Sequence, residues 1–266
     1  MEREAQGRSD YGRDLERDMG DEPPAALRDA APDYLAPIDA DAPVSGHVPP
    51  REHPGLAAEM PEHDWKAAAG LIFPTLKPVG TQGIPLSSID RENLAPAPHG
   101  HTLPLLDEGP VGIPVAYAIN AGAFDIIVNE EHLISWGVPP TEVQAAAMRN
   151  LSSWSATAPW TDEVSGDRRL LSSDSGDGWD AARILLPETR QHLARELGTT
   201  GRVLVGLPER HLLIAGTLRP NDTEFAGLFA DFVLEHSGGA DEPIDRRVFE
   251  LLDGQLIEFA AGANSG

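Results

Sequence analysis

From Val111 onward the apolar positions fall into two rhythms. Val143, Ala147, Leu151 and Trp154 recur at helical spacing, so Thr141 to Trp154 is predicted to be a helix with one buried face. Thr141 can cap its first turn, and Pro140 blocks extension backwards. Glu130 to Trp136 reads as a shorter helix that Gly137 closes. Between these lie short β-rich runs. Val111 to Ile119, interrupted by Pro114, and Phe124 to Val128 are strand candidates, as is Arg168 to Ser172. Trp179 to Leu186 and Pro187 to Leu197 read as helices, the second ended by Gly198. Arg202 to Leu207 and His211 to Ala215 flank Pro208-Glu209-Arg210 as a hairpin. Phe225, Leu228, Phe229, Phe232 and Val233 mark an amphipathic helix, with Asn221 and Glu224 at capping-box spacing. Val248 to Leu252 and Gln255 to Phe259 surround Asp253-Gly254, a pair suited to a type I′ turn because both positions need positive φ. Hairpins beside paired helices predict an α+β fold with a largely antiparallel sheet and packed helices.

Upstream the rhythm is lost. Residues 1–61 are acidic, rich in proline and poor in large apolar side chains, the signature of a disordered leader. A short helix fits Asp10 to Asp18. The apolar cluster Pro32-Asp-Tyr34-Leu35-Ala-Pro-Ile38 reads either as a docking motif or as part of a solvated tail. Trp65, Ala67, Leu71 and Ile72 give a helical stripe closed by Pro74 and Pro78. Residues from Val79 to Pro110 read as irregular, with room for one short strand or helix. The division is therefore a leader over 1–61, a helix and proline-rich segment over 62–110, an α+β domain over 111–260 and a fraying tail over 261–266.

The 266 residues carry a formal charge of −23, which disfavours nucleic acid and anionic membranes as partners. Cysteine is absent, so disulfide and thiolate chemistry are excluded. No run approaches the roughly 18 apolar residues of a membrane span, and the N-terminus lacks the features of a signal peptide. A cytoplasmic protein is expected. Lysine occurs only at Lys66 and Lys77, with arginine supplying the other cationic side chains, a bias expected of a GC-rich genome. Gly-rich phosphate loops of the Rossmann and P-loop types are missing, and no cofactor is expected.

Four stretches resemble the YtpQ-like family of uncharacterised bacterial proteins. These are Val115-Ala-Tyr117-Ala-Ile-Asn120, Ala147-Met-Arg-Asn150-Leu151, Gly178-Trp-Asp-Ala181-Ala-Arg183-Ile-Leu185 and Leu207-Pro208-Glu-Arg210-His211-Leu-Leu213. The resemblance covers roughly Pro110 to Phe259 and brings no established activity with it. The family usually has an aspartate where Asn120 stands and another where His211 stands. Their loss weakens an acid–base or metal role at those places.

Six residues are candidates for a binding surface. In Asp174-Ser-Gly-Asp177-Gly, Asp177 and Asp180 are placed to cap the helix that follows, with both charges at its positive end. The loop lacks the alternating acidic ligands of a calcium site, and no metal is expected. Arg183 is expected near the edge of that helix, clamping an anion or pairing with Asp180 or a loop carboxylate. Glu209, Arg210 and His211 sit at a hairpin tip, where contacts concentrate, and His211 could act as a general base. Asn150, one step off its helix stripe, either bonds a neighbouring loop or reads a ligand. His99 and His101 could bind zinc but have no cysteine partners.

No complete catalytic constellation appears. The leading expectation is therefore a non-catalytic binding or adaptor protein with a protein partner, its acidic leader tuning solubility or recruiting that partner. A hydrolase or transferase with a site near Asp177, Arg183 and His211, Asp174 included, is the first alternative. An acidic inhibitor or immunity-like protein that binds a basic partner is the second.

Overall fold

A computed structural model of the chain describes residues 63–89, 103–122 and 124–260. The expected leader over 1–61, the cluster around Tyr34, the pair His99 and His101, and the tail over 261–266 lie outside the described residues.

The first helix, α1 (Trp65–Ala68), is a single turn capped by Asp64. The chain then enters strand β1 (Ile72–Leu76), which corrects the expectation of a helix running through Ile72. Period two governs here: Ile72 and Leu76 are buried in the main core, while Phe73 and Thr75 belong to the opposite face. Pro74 stops no helix, because β1 pairs with only one neighbour and an edge strand can lack an N–H.

Strands β2 (Ile84–Pro85), β3 (Leu105–Glu108), β4 (Pro114–Asn120) and β5 (Asp125–Ile127) complete the first sheet. Its order is β1-β4-β3-β2, with β5 also pairing β4; only β2 and β3 run parallel. Helix α2 (Glu130–Trp136) is held by a reciprocal Asn129–His132 capping box and ends at Gly137 with φ 66°. Helix α3 (Pro140–Ser155) buries Val143, Ala146, Ala147 and Leu151.

The second sheet is antiparallel throughout. It contains β6 (Thr161–Ser165) and β7 (Arg168–Ser173), then, after a short 3-10 helix over Ala181–Leu185 and helix α4 (Pro187–Leu197), β8 (Arg202–Glu209) and β9 (Leu212–Leu218). Helix α5 (Thr223–Gly239) leads to β10 (Val248–Leu252) and β11 (Gln255–Glu258). The order is β11-β10-β8-β9-β7-β6. The α+β class with mostly antiparallel sheets is therefore established for the described residues.

Some local expectations shift. The hairpin turn falls on Arg210-His211, because β8 continues through Pro208 to Glu209 by way of a bulge after Gly206. The cap of α5 is Asp222, which accepts from the Phe225 amide at 3.0 Å; Asn221 lies outside the helix at φ 66°. Glu224 pairs with Arg168.

The main core joins both sheets: Ile72, Tyr117 and Ile119 from the first sheet with Val205, Leu207 and Phe249 from the second. A separate cluster lies under α5, built from Leu204, Ile214, Phe225, Phe229 and Val233. A third joins Ala118, Leu151, Trp179 and Leu186. Each fully buried side chain of this kind contributes about 1.5–3 kcal/mol. Among the described residues no helix is long and apolar enough to cross a membrane.

Candidate functional site

The second face of β1 carries Phe73 and Thr75, opposite Ala118 and Ala116 of β4, and Lys77 follows directly after the strand, its amide bonded to Pro114 O. The pairing of β4 with β5 extends this face to Ile127 and Asp125. Small side chains on β4 leave a depression. At one end Phe73 stacks on Trp179, with ring centroids 4.6 Å apart. At the other end lies a cleft of about 520 Å³, lined by Thr75, Lys77, Asn120, Asp125, Asp177, Arg210, His211 and Glu242 among others.

The opposite wall of the cleft is a clamp around Arg210. Its Nε donates to the Gly178 carbonyl at 2.9 Å, its Nη2 to Asp125, and its Nη1 to Glu242 at 3.1 Å. The guanidinium also lies over the Trp179 ring, 4.8 Å from the centroid. Backbone bonds fix the clamp: Arg210 N donates to Glu242 O and Ala181 N to Arg210 O, both at 3.2 Å. Gly178 is required here twice over. Its φ is +81°, and a Cβ on it would meet Arg210 Nε at 2.7 Å.

Two donors in the cleft are unmet among the described residues. Thr75 is 2% exposed, and its hydroxyl finds no hydrogen-bond partner. Lys77 is half-buried; its backbone amide donates to Pro114 O at 2.9 Å, whereas its ammonium has no hydrogen-bond or ion-pair partner within range among the described residues. Burial pulls the Lys77 ammonium below the usual lysine range, Glu242 opposing and Arg210 reinforcing that shift. On the acidic side, Asp125 and Glu242 are engaged by Arg210. Among the described residues Asp177 accepts only from Trp154 Nε1, at 2.9 Å, and keeps an oxygen for another donor.

The sequence candidates are thus separated. Asp177, Arg210 and His211 converge on the cleft. Asp177 does not cap the following helix. That helix is a 3-10 turn beginning at Ala181, and Asp180 beside it is turned inward. Asp180 accepts from Ser173 Oγ at 2.6 Å, Ser175 N at 3.0 Å and Ser175 Oγ at 2.9 Å. Arg183 stands apart from the cleft and is no edge residue: it is 2% exposed. It donates to Ser155 Oγ and O, Pro159 O and Ser173 Oγ, and Trp160 lies against it with its centroid 4.0 Å away. Ser173 bridges it to Asp180, and burial pushes the guanidinium down to about 10, with Asp180 opposing. Asn150 bonds backbone, donating to Ala69 O at 2.9 Å and Ile72 O at 2.8 Å, and so tethers α3 to the entry of β1. Glu209 points its part of the hairpin toward two other cavities, one shared with His211 and one beneath α5.

Thr75, Lys77, Asp125 and Glu242 were not among the sequence candidates. The alternation Phe73-x-Thr75-x-Lys77 is a strand signal that Pro74 obscures, whereas nothing local marks Glu242. Among the described residues no group of three or more acidic or histidine side chains is arranged to hold a metal. Comparison of the chain with protein-family models, with curated proteins and with solved structures gives no match.

Proposed function

We propose that this chain is a cytoplasmic, non-catalytic binding protein whose cleft holds a small zwitterion, an amino acid or short peptide. The observation that carries this reading is that the unmet Thr75 hydroxyl and the half-buried Lys77, two residues apart at the end of β1, line the same cleft. A buried hydroxyl and a desolvated ammonium without partners cost free energy, and a ligand carboxylate offsets both. Asp177, with one oxygen open, is placed to receive the ligand's ammonium. Kinship with the YtpQ-like family and a protein partner for an adaptor role belong to the same proposal.

A hydrolase or transferase finds less support. Arg183 is sealed in the core, and Asp174 lines a different cavity. His211 stands 4.0 Å from Glu242, a carboxylate that Arg210 already holds.

The test is a thermal-shift titration of the full-length chain with free amino acids and alanyl-alanine. At a hundred times Kd, a bound ligand adds about 2.7 kcal/mol, and Tm rises by about 5 °C or more. Lys77→Met and Asp177→Asn each remove the shift while leaving the unliganded melting curve cooperative. If no zwitterion raises Tm, or if Lys77→Met binds as well as the parent chain, the proposal fails. The pH dependence has a defined sign: the carboxylate needs a protonated Lys77, so affinity falls as pH rises through the lowered lysine pKa.

A further inference from the structure

The outer strand of the second sheet differs from every other strand of that sheet. All five residues of β6, Thr161-Asp-Glu-Val-Ser165, are exposed, and β6 ends the strand order. Among the described residues no backbone hydrogen bond crosses its outer side. Such an edge presents a row of unpaired N–H and C=O groups. Directly beside it lies a groove of about 590 Å³. Helix α5 packs mainly over β8 and leaves the β7 side of that face open. The groove is lined by Leu170, Leu212, Ile214, Phe229 and Phe232, with Leu228 on the rim at 55% exposure.

Charge selects the occupant. Glu163, Asp174 and Glu209 line the groove, whereas its one arginine, Arg168, is already paired with Asp222 and Glu224. A second copy of β6 laid antiparallel on the first, centred on Glu163, would set Glu163 against Glu163, a like-charge pair that destabilises. An opposing basic strand turns the same positions into attractive pairs.

We propose that β6 is a strand-addition site for an extended segment of a partner protein that sets a basic residue opposite Glu163 and sends the apolar side chains two residues to either side of it, on the same face, into the groove between β7 and α5. Main-chain bonds supply affinity, and the groove supplies selectivity for alternate residues. This surface lies apart from the zwitterion cleft and does not depend on it.

The probe is a short fluorescein-labelled peptide, Val-Thr-Lys-Thr-Val, titrated by anisotropy into the full-length chain; residues two apart share a face, so its lysine and both valines meet the Glu163 side of the edge together. Binding is expected, weakening as salt is added. Glu163→Lys lowers affinity about tenfold, since it replaces an attractive pair with a repulsive one. Leu228→Glu, at an exposed position that folding tolerates, weakens binding independently by charging the groove. Isotope-edited infrared of carbonyl-labelled peptide shows a strand band in the complex. Equal binding of a control with glutamate in place of the lysine, indifference to Glu163→Lys, or a helical band each overturns the proposal. Dimers of the chain alone that Glu163→Lys abolishes would assign the edge to a second copy and overturn it as well.

Discussion

Arg183 shows how far a single residue can stand from its sequence role. A guanidinium beside a helix invites an anion-binding reading, yet here every donor is spent on Ser155, Pro159 and Ser173. Its partner Asp180, 0% exposed, is reached only through the Ser173 hydroxyl. Removing one member of such a buried pair leaves the other charge uncompensated, so Arg183→Met should destabilise the fold by about 3–5 kcal/mol. Urea denaturation measures this; a loss below about 1 kcal/mol would mean that the serines satisfy Asp180 unaided. Asp222 gives a pH prediction at the same scale. The Arg168 guanidinium, followed by the Phe225 amide, holds its carboxyl below the usual aspartate range. Stability from that group is present above its unfolded pKa and is lost as pH falls through the folded value. Asp222→Asn should therefore flatten the acid limb of the stability–pH profile.

Elements were legible where local chemistry and tertiary position agree. The boundaries of α4 and the turn at Asp253-Gly254 follow from Pro187, Gly198 and the positive φ demanded of a tight hairpin; the turn residues sit at φ 48° and 76°. Gly254→Ala should cost about 1–2 kcal/mol, read as a lower urea midpoint with an unchanged slope. A variant as stable as the parent would show that the hairpin tolerates another turn. Legibility fails where a pairing partner decides. Pro74 reads as a helix stop unless β1 is known to be an edge strand. Strand β6 has no apolar alternation and exists because Asp162 to Ser165 pair with Arg168 to Leu171. The cleft was half legible. Asp177, Arg210 and His211 lie in turns that sequence marks, whereas Lys77 and Glu242 reach it only when the sheet and the strap after α5 are assembled.

At the scale of the molecule, charge sets the balance. The chain has 43 acidic against 20 basic side chains; among the described residues most arginines are committed to specific carboxylates, and the acidic excess repels itself. Raising ionic strength from about 10 mM to about 150 mM shortens the screening length from about 30 Å to about 8 Å. Repulsion should fade faster than the short ion pairs, so Tm should rise; a fall in Tm would put the pairs ahead. The scarcity of lysine has a practical corollary. One of the two sits in the cleft and the other, Lys66, is exposed on α1. An amine-selective acylating reagent therefore finds one side-chain target that an occupant shields and one that it does not. The mass ratio of the two adducts in a single digest reports occupancy, with Lys66 as the internal standard.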